Sequence, residues 1–173
     1  MKSCIDIISD RRSCKKYLPE MPSKADIDKV IEAGLAAASG RNMQASIIVA
    51  VTNKEIRDRL SRDNAAVMGA SGDPFYGAPC VLVVLAEKTA HTYVYDGSLT
   101  LGNMMLAAHE LGLGSCWIHR AKEVMADPTW QEWLKSLGLE GEYEGIGNLV
   151  LGYADGELPP KKDRRPSRVV YAD

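Results

Sequence analysis

Apolar positions along this chain fall into alternating blocks of two kinds. After Pro22-Ser23, the residues Ile27, Val30, Ile31, Leu35 and Ala38 recur at helical spacing, and Ser23 followed by Asp26 resembles a capping box, so an amphipathic helix is predicted over roughly residues 24–38. The block Ile47-Ile48-Val49-Ala50-Val51 is short, apolar and β-branched, the pattern of a buried strand. Asn53 can cap a helix carrying Ile56 and Leu60, and a Gly/Pro-rich loop over residues 69–79 leads into a second buried strand, Val81-Leu82-Val83-Val84-Leu85. Residues 91–112 form the longest predicted helix. It is apolar over most of its circumference, with Asp96, Thr100, Asn103 and Glu110 on one narrow polar stripe. Such a helix must be covered on nearly all sides, and a partner subunit would supply what one short chain lacks. Gly112-Leu113-Gly114 ends it, and Ser115-Cys116-Trp117-Ile118 begins another strand. Asp127-Pro128 starts a helix with Trp130, Trp133, Leu134 and Leu137 on its apolar face. Residues 146–153 read as a further strand and residues 168–171 as a short terminal one. The irregular interleaving predicts an α+β fold, helices flanking a mainly antiparallel sheet.

Composition narrows the function classes. The 173 residues suit one domain. With 21 lysines and arginines against 23 acids, the net charge is −2, which argues against broad attraction to nucleic acid or to an anionic membrane. The longest stretches without Asp, Glu, Lys or Arg, residues 74–86 and 97–109, fall short of the ~20 needed to span a bilayer. Lys2, Asp6 and Asp10 interrupt the start, so no signal-type apolar core is present and a cytoplasmic protein is expected. Cys4, Cys14, Cys80 and Cys116 form no Cys-x-x-Cys, and His91, His109 and His119 have no partner at zinc-ligand spacing. Reduced thiols and no metal are the expectation.

The remaining charge is unevenly placed. Arg11-Arg12-Ser13-Cys14-Lys15-Lys16 and Lys161-Lys162-Asp163-Arg164-Arg165-Pro166-Ser167-Arg168 hold nine of the 21 basic residues. Such runs suit an anion, because charge-assisted hydrogen bonds to phosphate are strong and the arginine fork matches its oxygens. On charge alone they read equally as solvated ends. The usual backbone devices for phosphate are missing. Gly112-Leu113-Gly114 lacks the third glycine of a dinucleotide fingerprint, where Trp117 stands, and lies at a helix-to-strand junction; no Gly-Lys-Ser/Thr exists for a P-loop. A phosphate here would be held by side chains. The loop Ser39-Gly40-Arg41-Asn42-Met43-Gln44 offers two amides suited to a flat heteroaromatic ring, or else a helix end and an ordinary turn.

Taken in order, these segments resemble one family, the FMN-dependent nitroreductase-like flavoproteins. The resemblance runs through Arg11-Arg12-Ser13-Cys14-Lys15, the loop from Ser39 to Gln44, Gly77-Ala78-Pro79, Gly112 to Ile118, Leu149-Val150-Leu151-Gly152-Tyr153 and Lys162-Asp163-Arg164-Arg165-Pro166. It implies that Arg11, Ser13, Lys162 and Arg164 hold the FMN phosphate. Arg12 counts among the cofactor-facing candidates, although by charge alone it reads as solvated, like Lys16, Lys161 and Arg165. Lys15 would approach the flavin or its ribityl chain. Asn42 and Gln44 would contact the ring, Ser39 and Gly40 would lie against the cofactor through their backbone, and Trp117, Ile118 and His119 would line the ring.

The family fold is an α+β homodimer with two FMN sites at the subunit interface, the ring-contacting loop coming from the neighbouring subunit. The activity implied is hydride transfer from NADH or NADPH through flavin N5 to a small electron-poor acceptor, such as a nitroaromatic or quinone, in a ping-pong cycle. A non-catalytic FMN carrier or sensor is the alternative. Two departures stand out: Ala38-Ser39 and Gln44-Ala45-Ser46 replace prolines frequent in the family, and His119 stands where relatives often have a small or acidic residue. His119 either donates to the flavin or a substrate or closes the pocket passively, the passive role being the expectation; Trp130 and Trp133 are expected to be core, and Cys116 to be a buried free thiol rather than a reactive one beside the flavin. Phe75 and Tyr76 either cover the substrate or pack as a surface loop.

Overall fold

The computed structural model describes residues 3–172. Its elements in chain order are α1 (Cys4–Asp10), α2 (Lys24–Leu35), a 3-10 turn (Gly40–Asn42), β1 (Ser46–Val51), α3 (Lys54–Met68), β2 (Cys80–Glu87), α4 (Tyr93–Glu110), β3 (Gly114–Ile118), α5 (Ala121–Met125), α6 (Pro128–Ser136) and β4 (Tyr143–Gly152). The four strands form one sheet in the order β1-β2-β4-β3, and every neighbouring pair is antiparallel. An α+β fold with a mainly antiparallel sheet was expected, and that is what the chain adopts.

Local chemistry sets the element ends. The Ser23 hydroxyl accepts from the Asp26 amide at the start of α2, the Asn53 side-chain Oδ1 from the Ile56 amide at α3, and the Asp127 carboxylate from the Thr129 amide at α6, each satisfying an amide that the helix leaves without a partner. Gly112, at φ +74°, turns the chain out of α4 in a conformation glycine adopts freely. β2 is buried from Cys80 to Ala86 and carries core on both faces. Val81, Val83 and Leu85 pack with Leu60 of α3 and Trp130 and Leu134 of α6, while Leu82 and Val84 pack with Val30 of α2 and Met104 of α4. Each such side chain contributes ~1.5–3 kcal/mol by leaving water. The result is a sheet between two helical layers, with β2 and β4 at its centre.

Several expectations need correction. β1 is only half-buried, because it is an edge strand rather than a central one. Residues 168–171 form no strand: Val169, Val170 and Tyr171 are exposed coil, since β1 and β3 remain the sheet's edges and neither pairs with this segment. α1 and α5 are short helices whose few residues carry no long periodic pattern. α4 keeps Val94, Tyr95 and Leu99 exposed on this chain. Among the described residues no helix is long and apolar enough to cross a membrane.

Candidate functional site

Residues 13–18 bring the two basic runs together. Ser13 forms a parallel bridge with Ser115 of β3, and the Cys14 amide donates to the Ser115 carbonyl at 2.9 Å. Tyr17 bridges Ala154, the Leu18 amide donates to the Tyr153 carbonyl (2.9 Å), and the Asp155 amide returns a bond to the Lys16 carbonyl (3.0 Å). A Lys16–Asp155 ion pair at 2.7 Å closes the same seam. The segment after β4 is thereby laid beside the segment after α1, and a cleft of about 730 Å³ opens between them, lined by Arg11, Arg12, Ser13, Lys15, Lys162 and Arg164 among others.

Within this cleft the arginines differ. Arg12 Nη1 is engaged by the Ser9 and Arg11 carbonyls at 2.8 and 2.7 Å. Arg11 Nη1 is buried and has no hydrogen-bond partner among the described residues. A buried charged donor left unpaired is costly, so it marks a place where an anion's oxygen belongs. Lys162 and Arg164 sit on the exposed strand-less tail. Beneath the cleft, burial pushes the Cys116 thiol up despite the Ser13 hydrogen bond and the charges of Lys15 and Arg11, so it is a neutral thiol, as expected, and not an activated one.

The loop expected to face the ring lies outside this cleft. The Gly40 amide donates to Asp96 Oδ1 at 3.1 Å, and the buried Asp96 also accepts from Thr92 Oγ1 at 3.1 Å, pinning the loop to the start of α4. A Cβ at position 40 would stand 2.1 Å from Thr92 Oγ1, so only glycine fits. Arg41, Asn42 and Gln44 all take positive φ, and Gln44 Nε2 donates to Asn42 Oδ1 at 3.0 Å. Three non-glycine residues in left-handed conformations make this more than a helix end and an ordinary turn. Both amides point from an exposed surface.

Trp117, Ile118 and His119 line a second cleft of about 450 Å³ together with Tyr76 and Arg120. Trp117 and His119 are exposed there, whereas Ile118 is buried. Lys15 links the two clefts, its ammonium 5.6 Å from the Tyr76 ring centroid. Phe75 is fully buried, so the expected pair splits: Phe75 is core and Tyr76 lines the cleft. Trp130 is buried core as expected, with Trp133 packed edge-on against it at 5.1 Å.

Sequence reasoning missed what holds this second cleft. Arg57, Ser61 and Asn64 form a buried polar stripe along α3. Arg57 Nη2 and Ser61 Oγ donate to Asp73 at 2.6 and 2.5 Å, and Asp73 also accepts from the Phe75 and Gly77 amides at 2.9 and 2.7 Å. Desolvation raises the Asp73 carboxyl, but these hydrogen bonds outweigh it and hold the group below the usual carboxylate range. Arg57 Nε donates further to the Ala78 carbonyl, and Asn64 Nδ2 to the His119 carbonyl, both at 2.9 Å. The available signal was the i, i+4, i+7 spacing of these three residues, hidden on a helix whose polar letters look like a solvated face.

The model of the nitroreductase family matches residues 8–153. The chain belongs to the nitroreductase family. Over its full length this nitroreductase-family chain superposes on a crystal structure of a nitroreductase with bound FMN from Bacteroides fragilis, with a TM-score of 0.88, 27% identity and 100% of each chain covered. It is 27% identical to an NADPH-flavin oxidoreductase of Vibrio harveyi, over 98% of this chain and 73% of that one. An FMN reductase [NAD(P)H] of Bacillus subtilis is 26% identical over the same shares. The family resemblance expected from the motifs is thus the family found.

Proposed function

We propose that this chain is an FMN-dependent oxidoreductase that carries a hydride from NADH or NADPH to a small electron-poor acceptor, a nitroaromatic or a quinone, as a homodimer with one domain per subunit. The single observation that carries the reading is the buried, unpartnered Arg11 Nη1 in a cleft where both basic runs converge. It fits a phosphate and not a neutral ligand. The flavin activities named for the Vibrio and Bacillus relatives, and the FMN in the Bacteroides neighbour, support FMN as that phosphate's owner.

In this reading Arg11, Ser13, Lys162 and Arg164 neutralise and orient the phosphate, and Arg12, tied to two carbonyls, stiffens the Arg11 backbone. Lys15 places a positive charge between the clefts, where it favours an electron-rich ring over an oxidised one. Trp117, Ile118 and His119 form the ring's floor. Ser39 and Gly40 present backbone, and Asn42 and Gln44 present amides, to the site of the neighbouring subunit; the exposed Leu99 of α4 and Val170 and Tyr171 of the tail supply apolar surface for that second copy to cover. Bound FMN would supply the two-electron chemistry, so the protein needs to bind, orient and exclude water rather than provide a nucleophile.

The visible spectrum of the purified protein tests this before and after anaerobic NADPH or NADH. A yellow protein that bleaches is the expected result. A yellow protein that does not bleach favours a flavin carrier, and a colourless one that takes up no added FMN overturns the flavin reading.

A further inference from the structure

Asn148 stands where the fold calls for an apolar residue. It lies in β4, inside the sheet, with no exposed surface, and neither its Oδ1 nor its Nδ2 has a partner among the described residues. Side chains alternate along a strand, so Asn148 shares a face with Val150 and points toward the layer of α3 and α6. Its ladder partners Val83 and Ile118 belong to that same core cluster. Leu60 of α3 packs in this cluster, and Asn64 lies one turn further along the helix. Asn64 is also fully buried; its Nδ2 donates to the His119 carbonyl at 2.9 Å, and its Oδ1 has no partner among the described residues. His119 follows Ile118, the partner of Asn148, and paired residues of an antiparallel ladder have Cα atoms ~4.5–5.5 Å apart. Two buried amides thus meet at the end of β3, one from the helix and one from the neighbouring strand.

An unpaired amide in an apolar core is costly, and asparagine is a poor strand former. The three unpaired atoms, two acceptors and one donor, match the two to four polar partners that hold an internal water. We infer a buried water site between Asn64 and Asn148: one water accepts from Asn148 Nδ2 and donates to Asn64 Oδ1, and a second donates to Asn148 Oδ1. The ligand is water and nothing larger, since the surface clefts lined by Arg11, Arg57, Lys122 and His119 include neither amide. The bridge ties the middle of the sheet to the side chain that holds the His119 carbonyl. Beyond that carbonyl the chain turns into α5 with Arg120 at φ +77°, and β4 lies so close that a Cβ on Gly145 would stand 2.2 Å from the Ala121 carbonyl oxygen. The water site therefore sits directly behind the turn that walls the second cleft. It requires no cofactor.

Two measurements on the full chain test this. A high-resolution crystal structure of the wild-type protein is expected to show an ordered water within hydrogen-bond distance of both Asn64 Oδ1 and Asn148 Nδ2. A dry site, or the two amides bonded directly to each other, overturns the inference. Urea unfolding of Asn64→Leu, Asn148→Leu and the double variant supplies the second test, leucine keeping the shape of asparagine without its polar atoms. If the two residues share a water, the effect of Asn148→Leu on the folding equilibrium constant differs by about tenfold between the wild-type and Asn64→Leu backgrounds, as for residues of one hydrogen-bond network. Effects that multiply to within about twofold belong to independent sites and overturn the inference. Where a leucine variant does not fold, the wild-type structure decides alone. A wild-type chain that binds no FMN would remove the flavin reading and leave the water site standing.

Discussion

The two clefts of this molecule are built from opposite materials. The basic cleft is lined in large part by long charged side chains, three of its cations, Lys161, Lys162 and Arg164, on a tail exposed over residues 161–172. The Tyr76–Trp117 cleft is lined by an aromatic turn and a strand end, each bonded to a buried polar stripe of one helix. The difference is the one expected if, as proposed, the first holds a phosphate and the second a flat ring. Charge acts over several ångströms and tolerates mobile lysines and arginines. A flat ring is recognised by contact, which falls away within an ångström, so its walls need a rigid scaffold.

The largest break in this comparison comes from Arg57. Its side chain is nearly buried and serves Asp73, Asp58 and the Ala78 carbonyl together. Arg57→Ala removes the cation from the Arg57–Asp73 clasp and the donor of the buried Ala78 carbonyl, at a cost of about 3 kcal/mol, the low end for a broken buried pair because Asp73 keeps its other donors and some contact with water. Thermal unfolding should show a loss of several degrees. FMN affinity should fall less than in a phosphate-site variant, since the basic cleft shares no residue with the clasp. A variant that melts like wild type, or that loses FMN as severely as a phosphate-site variant, would erase the distinction between the clefts.

Substitution in the basic cleft sharpens the contrast from the other side. Arg11→Ala should leave stability almost unchanged while FMN binding weakens by about 1.5–3 kcal/mol, the worth of a charge-assisted contact. Arg164→Ala should follow with a smaller loss, because an exposed cation is screened by water and salt. Arg165→Ala, on the same tail but outside the cleft lining, is the control, expected to differ from wild type by less than about twofold. Fluorescence titration of the apoprotein with FMN measures all three, and equal affinities for Arg11→Ala and Arg165→Ala would refute the phosphate assignment.

This division also separates what the sequence could announce from what it could not. β2, α2 and α6 were legible because their signals are local: a run of apolar β-branched residues, a capping serine, an Asp-Pro start. β1 looks the same in sequence as β2, yet it stands at the sheet's edge, since strand order is a non-local outcome that no run of residues encodes. Residues 168–171 are rich in strand formers, but propensity without a neighbouring edge makes no ladder. The basic cleft was foreshadowed by charge and family resemblance, and the structure supplied the hinge that joins its halves: the bridges of Ser13 to Ser115 and Tyr17 to Ala154. The clasp was illegible because Arg57, Ser61 and Asn64 carry the same letters inside as they would on a solvated face. Only burial distinguishes them.

The finest test of the contrast is pH. Asp73 carries a carboxyl lowered in the folded protein by Arg57, Ser61 and two amides against the desolvation that would raise it. Its unfolded value is ~3.9. A depressed folded pKa means that the group's contribution to stability is fully present above the unfolded pKa and is lost as pH falls through the folded one. The difference in Tm between wild type and Asp73→Asn should therefore be constant from pH 8 down to about 5 and shrink below about 4. If the gap holds its size down to about pH 3, the clasp does not depend on the Asp73 charge, and the Tyr76 turn is held by packing of Phe75 alone.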